Sequence, residues 1–205
     1  MNRLDKRKCD ICGRVIDTFG YMRFKDGSMC TECAKLISPH LKNRADASAD
    51  FLKRHIAYRK ENLKKLDEFK SVARYGYDKK IYIDSYMYSF LVTNKLEKDI
   101  KVGNPDVISL TAVKSCETII REHTKKDLES SDTKHYYDFT VVIKLDSEWF
   151  DEIRVNLNAD SIEGKDNRLY HKCESDAKEL KDTLMPDQSF AANVLPFKTR
   201  SIYRL

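Results

Sequence analysis

Two Cys-x-x-Cys pairs, Cys9-Asp10-Ile11-Cys12 and Cys30-Thr31-Glu32-Cys33, constrain this chain more than any other feature. Each such turn aims two sulfurs at one point, and a second pair completes the tetrahedron of about 2.3 Å Zn–S bonds that Zn²⁺ accepts. Four protein ligands close the coordination shell. Cys9, Cys12, Cys30 and Cys33 therefore read as a structural zinc site with no position left for a substrate. A redox-active dithiol is the rival reading, but it needs one Cys-x-x-Cys and leaves the second pair unexplained.

The residues between the pairs support a small clasped hairpin. Gly13 suits the bend after Cys12, where backbone N–H groups turn toward sulfur. Val15 to Phe24 carries β-forming residues, and Lys25-Asp26-Gly27-Ser28 supplies an Asp-Gly turn before Cys30. Lys8 and Arg14 flank the cysteines and are expected to favour thiolates. A module of this size is too small for an adequate core, so metal binding should supply much of its folding free energy.

After Ser38-Pro39-His40, a charged segment from about Arg44 to Val72 contains no Gly or Pro and reads as one helix. Leu52, Ile56, Leu63 and Leu66 recur at helical spacing, with Arg59 interrupting the seam. The pattern then changes. Lys80–Asp84 and Tyr88–Thr93 read as an antiparallel hairpin, Val107–Val113 as a third strand, and Thr118–Ile120 as its extension or another strand. Lys125–Lys134 reads as a loop. Tyr137–Leu145 and Glu152–Leu157 form a further hairpin, with Trp149 and Phe150 at its turn either packed in the core or offered to a partner. Asn167–Met185 reads as a closing helix with Leu169, Cys173, Ala177, Leu180 and Leu184 on one face, stopped by Pro186. The expected fold is α+β, divided into a zinc ribbon (1–43), a connecting helix (44–73), a β-rich domain (74–186) and a tail (187–205).

The order CDICG, then KDG, then C-x-x-C-AKLISP resembles the N-terminal zinc ribbon of a bacterial domain-of-unknown-function family. Members often join it to a β-rich domain that looks pleckstrin-homology-like. KIYIDSYMYSFLV, PDVISLTAV, FTVVIKLDSEWFDEIRVNLN and DNRLYHKCESDAKELKDTLM resemble that second part. The glycine-rich stretch associated with such domains has no counterpart in Thr118 to Asp132. The resemblance implies a binding role and not catalysis.

Charge and chemistry bound the function further. Residues 1–75 hold 18 Lys+Arg and 10 Asp+Glu, whereas 76–205 hold 20 and 23, so the basic excess lies in the first part. One Zn²⁺ on four thiolates contributes about −2, which reduces that excess. The five histidines, His40, His55, His123, His135 and His171, are dispersed, and no catalytic motif is visible. Glu117 and Glu122 are too loosely placed to form an acid–base pair, and Cys116 and Cys173 read as buried apolar residues. The protein is expected to be a non-catalytic interaction protein with a protein partner and no small-molecule substrate. Nucleic-acid binding through the ribbon and helix 44–72, with Lys53, Arg54, Arg59 and Lys60 on a stripe, is the alternative. Membrane-surface binding is disfavoured by the acidic second part. The N-terminus lacks an apolar stretch and the cysteines need reducing conditions to hold zinc, so a cytoplasmic location is expected.

Overall fold

The computed structural model describes residues 7–16, 20–126 and 132–185; the tail 187–205 lies outside them. Strands β1 (Tyr21–Phe24) and β2 (Gly27–Cys30) form the expected hairpin around the Asp26-Gly27 turn, and a short helix α1 (Thr31–Lys35) follows. A single 3-10 turn at Arg44–Asp46 precedes helix α2 (Ala49–Glu68). The helix is shorter than the Arg44–Val72 reading. It starts where the Ser48 side chain accepts from Phe51 N–H, and it stops at Phe69, whose backbone is extended.

Two antiparallel sheets follow. β3 (Ala73–Tyr75), β4 (Lys80–Asp84), β5 (Ser89–Thr93) and β6 (Ile108–Ser109) form one, in chain order. The expected strand Val107–Val113 is only β6 followed by a 3-10 turn, Leu110–Ala112. The other sheet centres on β8 (Thr133–Leu145), paired on one side with β7 (Val113–Lys126). Its other side takes β9 (Glu152–Asn156) and the short β10 (Ile162–Glu163). Lys125, Lys126, Thr133 and Lys134, expected in a loop, belong to these strands; residues 127–131 lie outside the description. Helix α3 (Arg168–Leu184) closes the fold, with Asn167 accepting from Leu169 N–H at its start. Its buried face is Tyr170, Cys173, Ala177, Leu180 and Leu184; Leu169, expected there, is exposed. The molecule is α+β.

The main core lies between the sheets, where Ile81, Ile83 and Phe90 meet Phe139, Val141, Ile143 and Ile153 beneath α3. Cys116 and Cys173 pack there, as expected. The opposite face of the first sheet is also covered, because Tyr82 and Leu91 pack against Leu66 and Phe69 at the end of α2. This explains why β5 is buried at every position: a strand covered on both faces has no polar side to show. At its other end, α2 supplies Leu52 and Ile56 to a separate core with Phe24, Met29, Ile37 and Leu41 of the cysteine module. One helix thus serves two cores.

Between those ends the inward face of α2 is polar, and Arg59 does not interrupt a seam so much as anchor it. Arg59 Nη1 donates to Asp106 Oδ1 at 2.7 Å with both side chains almost wholly buried. Three residues on, Asn62 donates to Pro105 O (2.7 Å) and Asn104 Oδ1, and accepts from Val107 N–H (2.8 Å). Asp106 also accepts from Ser38 Oγ, and Ser38 N–H donates to His55 Nε2 at 3.1 Å. Leu63, which lies outside this stripe, is exposed.

Breaking one partner of a buried pair leaves an unpaired charge, so Asp106→Ala is expected to cost about 3–5 kcal/mol, whereas replacing both partners with apolar residues of similar volume costs far less. Urea titration of the two variants checks this. A second prediction concerns pH. Burial, opposed by Asp106 and reinforced by Arg59 and Arg44, lowers His55 from its ordinary 6.5 to about 4. The unfolded chain takes up this proton near pH 6.5 and the folded protein resists it, so the contribution to stability is complete above pH 6.5 and is lost as pH falls to about 4. His55→Phe is expected to remove that slope while losing about 1–3 kcal/mol at pH 7 through the orphaned Ser38 N–H.

Candidate metal centre

The four sulfurs converge because two separate backbone devices face each other. In the first knuckle, Gly13 N–H donates to Cys9 O at 2.8 Å and Cys9 N–H to Arg14 O at 2.8 Å, a reversal that places Gly13 at φ +75°. The second begins at the end of β2, where Cys30 stands just before α1 and its sulfur accepts from Cys33 N–H at 3.5 Å. Asp10 splices the two together. Its N–H donates to Ser28 O (2.9 Å) and its Oδ2 accepts from Ser28 N–H (2.7 Å). A Cβ on Gly27 would come 2.6 Å from that carboxylate oxygen, so the turn glycine is required by close approach.

All four Sγ atoms lie within 4.8 Å of one another. The Cys9–Cys33 and Cys12–Cys30 sulfurs are each 3.8 Å apart. A regular tetrahedron with arms of about 2.3 Å has edges of about 3.8 Å, so these spacings fit a four-thiolate Zn²⁺ shell. Cys9 and Cys33 are buried and Cys12 is exposed, so the centre sits at the module surface with one side packed on its core.

Electrostatics point the same way. Burial raises the Cys9 thiol, but the backbone N–H groups of Cys30, Cys12 and Ile11, with the Cys12 side chain, outweigh it and hold it at about 6. Cys30 N–H lies 3.3 Å from that sulfur. The expected help from Lys8 and Arg14 is replaced by these main-chain dipoles, which are already aimed at the sulfur. Cys33 moves the other way, pushed far up by burial and by the sulfurs around it. Four thiolates this close deprotonate together only around a cation.

Other sequence candidates are dispersed. His123 faces Asp138, His135 donates to or accepts from Glu122, and His171 faces Glu174, all at the surface of the second part of the chain. Glu117 and Glu122 stand on opposite faces of β7, as their odd spacing in a strand requires. The basic stripe on α2 is reduced, since Arg59 is buried against Asp106 and Arg54 pairs with Glu148.

Trp149 and Phe150 are resolved separately. Phe150 is in the main core, whereas Trp149 is half-buried between that core and the cysteine module. Its ring lies 5.1 Å from Phe51, 5.0 Å from His55 and 5.5 Å from Tyr58, all on α2. Lys42 N–H donates to Trp149 O at 2.9 Å, and Lys42 Nζ reaches Ser147 O and Asp151. The hairpin tip therefore has a partner within its own chain. Sequence reasoning gave His55 no role and missed Asn62 and Asp106; for Asn62 the available signal was the i, i+3 continuation from Ile56 through Arg59 on one helix face, and for Asp106 there was none.

Residues 8–55 match the model of a family described as a domain of unknown function (DUF4428). That stretch includes all four cysteines and extends into α2 as far as His55, which joins the module to the rest of the fold. No curated protein and no solved structure matches the chain.

Trp149 is the single tryptophan, so its fluorescence reports the module's docking. Purified reduced protein is expected to carry one Zn²⁺ per chain. Cys30→Ser, or chelation, is expected to remove it, red-shift the Trp149 emission and expose residues 8–43 to rapid amide exchange. Metal analysis and hydrogen exchange check both parts.

Proposed function

We propose that the protein is a non-catalytic interaction protein whose N-terminal module is folded by a structural Zn²⁺ on Cys9, Cys12, Cys30 and Cys33. The observation that carries this reading is the closed set of four sulfurs, which offers a metal a complete protein shell and leaves no open position for substrate or water. The ion's work is then mechanical. It ties the two knuckles together and so holds Ile37, Leu41 and Phe24 against α2.

The β-rich part is read as pleckstrin-homology-like. Two antiparallel sheets around one core, closed by a C-terminal helix, support that reading. The module and this domain act as one body with a composite surface, because α2, Lys42 and Trp149 bind them to each other. A protein is the favoured partner over nucleic acid: of the four cations on the helical stripe, Arg59 is lost to the interior and Arg54 is partnered with Glu148 at the surface, which weakens the share of α2 in any phosphate contact. No described helix is long and apolar enough to cross a membrane. A reducing cytoplasm suits the four thiolates.

A native pull-down with intact protein is expected to retain a specific protein that the Cys30→Ser variant loses. Binding of mixed-sequence DNA or RNA at about 50 mM salt, weakening steeply as salt rises, would replace this reading with the nucleic-acid one.

A further inference from the structure

Among the described residues, β7 is an edge strand whose outer side carries no partner strand. Residues 117–122 are exposed in an unbroken run, and Ile119 and Ile120, on opposite faces, are 44% and 43% exposed. Long strand edges of this kind are templates for pairing with another strand. The direction of the free groups follows from one contact. Cys116 N–H points away from β8 and donates to Met185 Sδ, at the end of α3. In a regular antiparallel ladder alternate residues face alternate edges, and the β7–β8 register is regular from Ser115 onward. Thr118, Ile120, Glu122 and Thr124 therefore direct their N–H and C=O groups outward, where no described backbone group meets them.

We propose that two copies of this chain pair through β7, antiparallel about a two-fold axis at Ile120, joining their β7–β8 sheets into one. Charge selects the occupant and the register. With Ile120 opposite its own copy, Thr118 faces Glu122, Ile119 faces Arg121 and Glu117 faces His123 of the second copy. No like charges oppose each other over 117–123. Moving the axis to Arg121 or to Glu122 sets two identical charges directly opposite, which is destabilising. Moving it to Ile119 shortens the free overlap to 117–121, because Cys116 N–H is already taken by Met185. An axis at His123 would set Arg121 opposite Lys125 and one at Thr124 leaves only 122–126 to overlap, so within the described strand the register at Ile120 is the longest one free of repulsion, and it covers the exposed Ile120 of both copies. The assembly is closed and isologous.

This inference is independent of the zinc assignment and of the proposed partner. The test uses the zinc-loaded full chain in sedimentation equilibrium. Its edge is short against a standard interface of about 800 Å² per partner, so concentrations from about 1 to 500 µM are needed. A reversible monomer–dimer equilibrium is expected. Ile120→Lys places like charges on the axis and is expected to raise the dimer Kd at least tenfold. Thr118→Pro removes an outward N–H that no described group uses, so it should spare the monomer fold, read by Trp149 emission, while having a similar effect on pairing. Ile120→Cys should cross-link under mild oxidation, since hydrogen-bonded pairs stand about 5.5 Å apart at Cα, within disulfide reach; Ile119→Cys, opposite Arg121, should not. A monomer throughout the range overturns the proposal, including a monomer whose β7 amides resist exchange because another part of its own chain covers them. A dimer indifferent to both Ile120→Lys and Thr118→Pro overturns it as well.

Discussion

The buried Arg59–Asp106 pair is the contact on which the arrangement of this molecule depends, because three otherwise separate segments meet at it. Arg59 belongs to α2, Asp106 to the approach to β6, and Ser38, which donates to the same carboxylate, to the cysteine module. Taking two charges out of water is costly, and their attraction recovers that cost only with good geometry and further hydrogen bonds. Here Ser38 Oγ takes the second carboxylate oxygen, and Arg59 Nε reaches Leu36 O. Such a pair contributes orientation more than net stability. An apolar contact tolerates sliding, whereas this one is satisfied in a single alignment of the helix, the loop and the module.

Asn62 extends the same logic one turn along. It accepts and donates around residues 104–107, and those residues lead into β6. With Leu66 packed on Tyr82 and Leu91 beyond it, α2 becomes the outer layer of the first sheet. A helix that would otherwise be a connector is thereby fixed along its length. The four-cysteine cluster gains a packed base from this, since Leu52 and Ile56 of the same helix lie beneath the module carrying the four sulfurs.

Much of the candidate site was legible in the chain itself. Cys-x-x-Cys turns act locally, so their sulfur directions follow from a few residues, and Gly13 and Asp26-Gly27 mark the bends that bring the pairs together. The hairpins β4–β5 and β8–β9 and the helix α3 were readable for the same reason, as apolar spacing reports a local period. Strand Val107–Val113 was not, because an apolar run looks alike in a strand and in a 3-10 turn buried under neighbours. The length of β7 was hidden because its far half buries little and so carries no alternating pattern. Leu63 and Leu169 illustrate the converse: helical spacing admits neighbouring stripes, and only the packed partner shows which one faces inward.

The sequence by itself determined the four-cysteine candidate ligand set, the α+β class and the clustering of basic residues toward the N-terminus, all of which rest on residue type and short-range spacing. Tertiary structure alone decided what Arg59, Asp106, His55 and Trp149 do. Each has a polar or amphipathic side chain, and each is wholly or partly covered through contacts with a different element of the fold. Arg59 is neutralised by a carboxylate 47 residues on, and Trp149 is covered by a helix about a hundred residues earlier. Long-range pairing of this kind leaves no local periodicity, so it becomes visible only when the chain is folded.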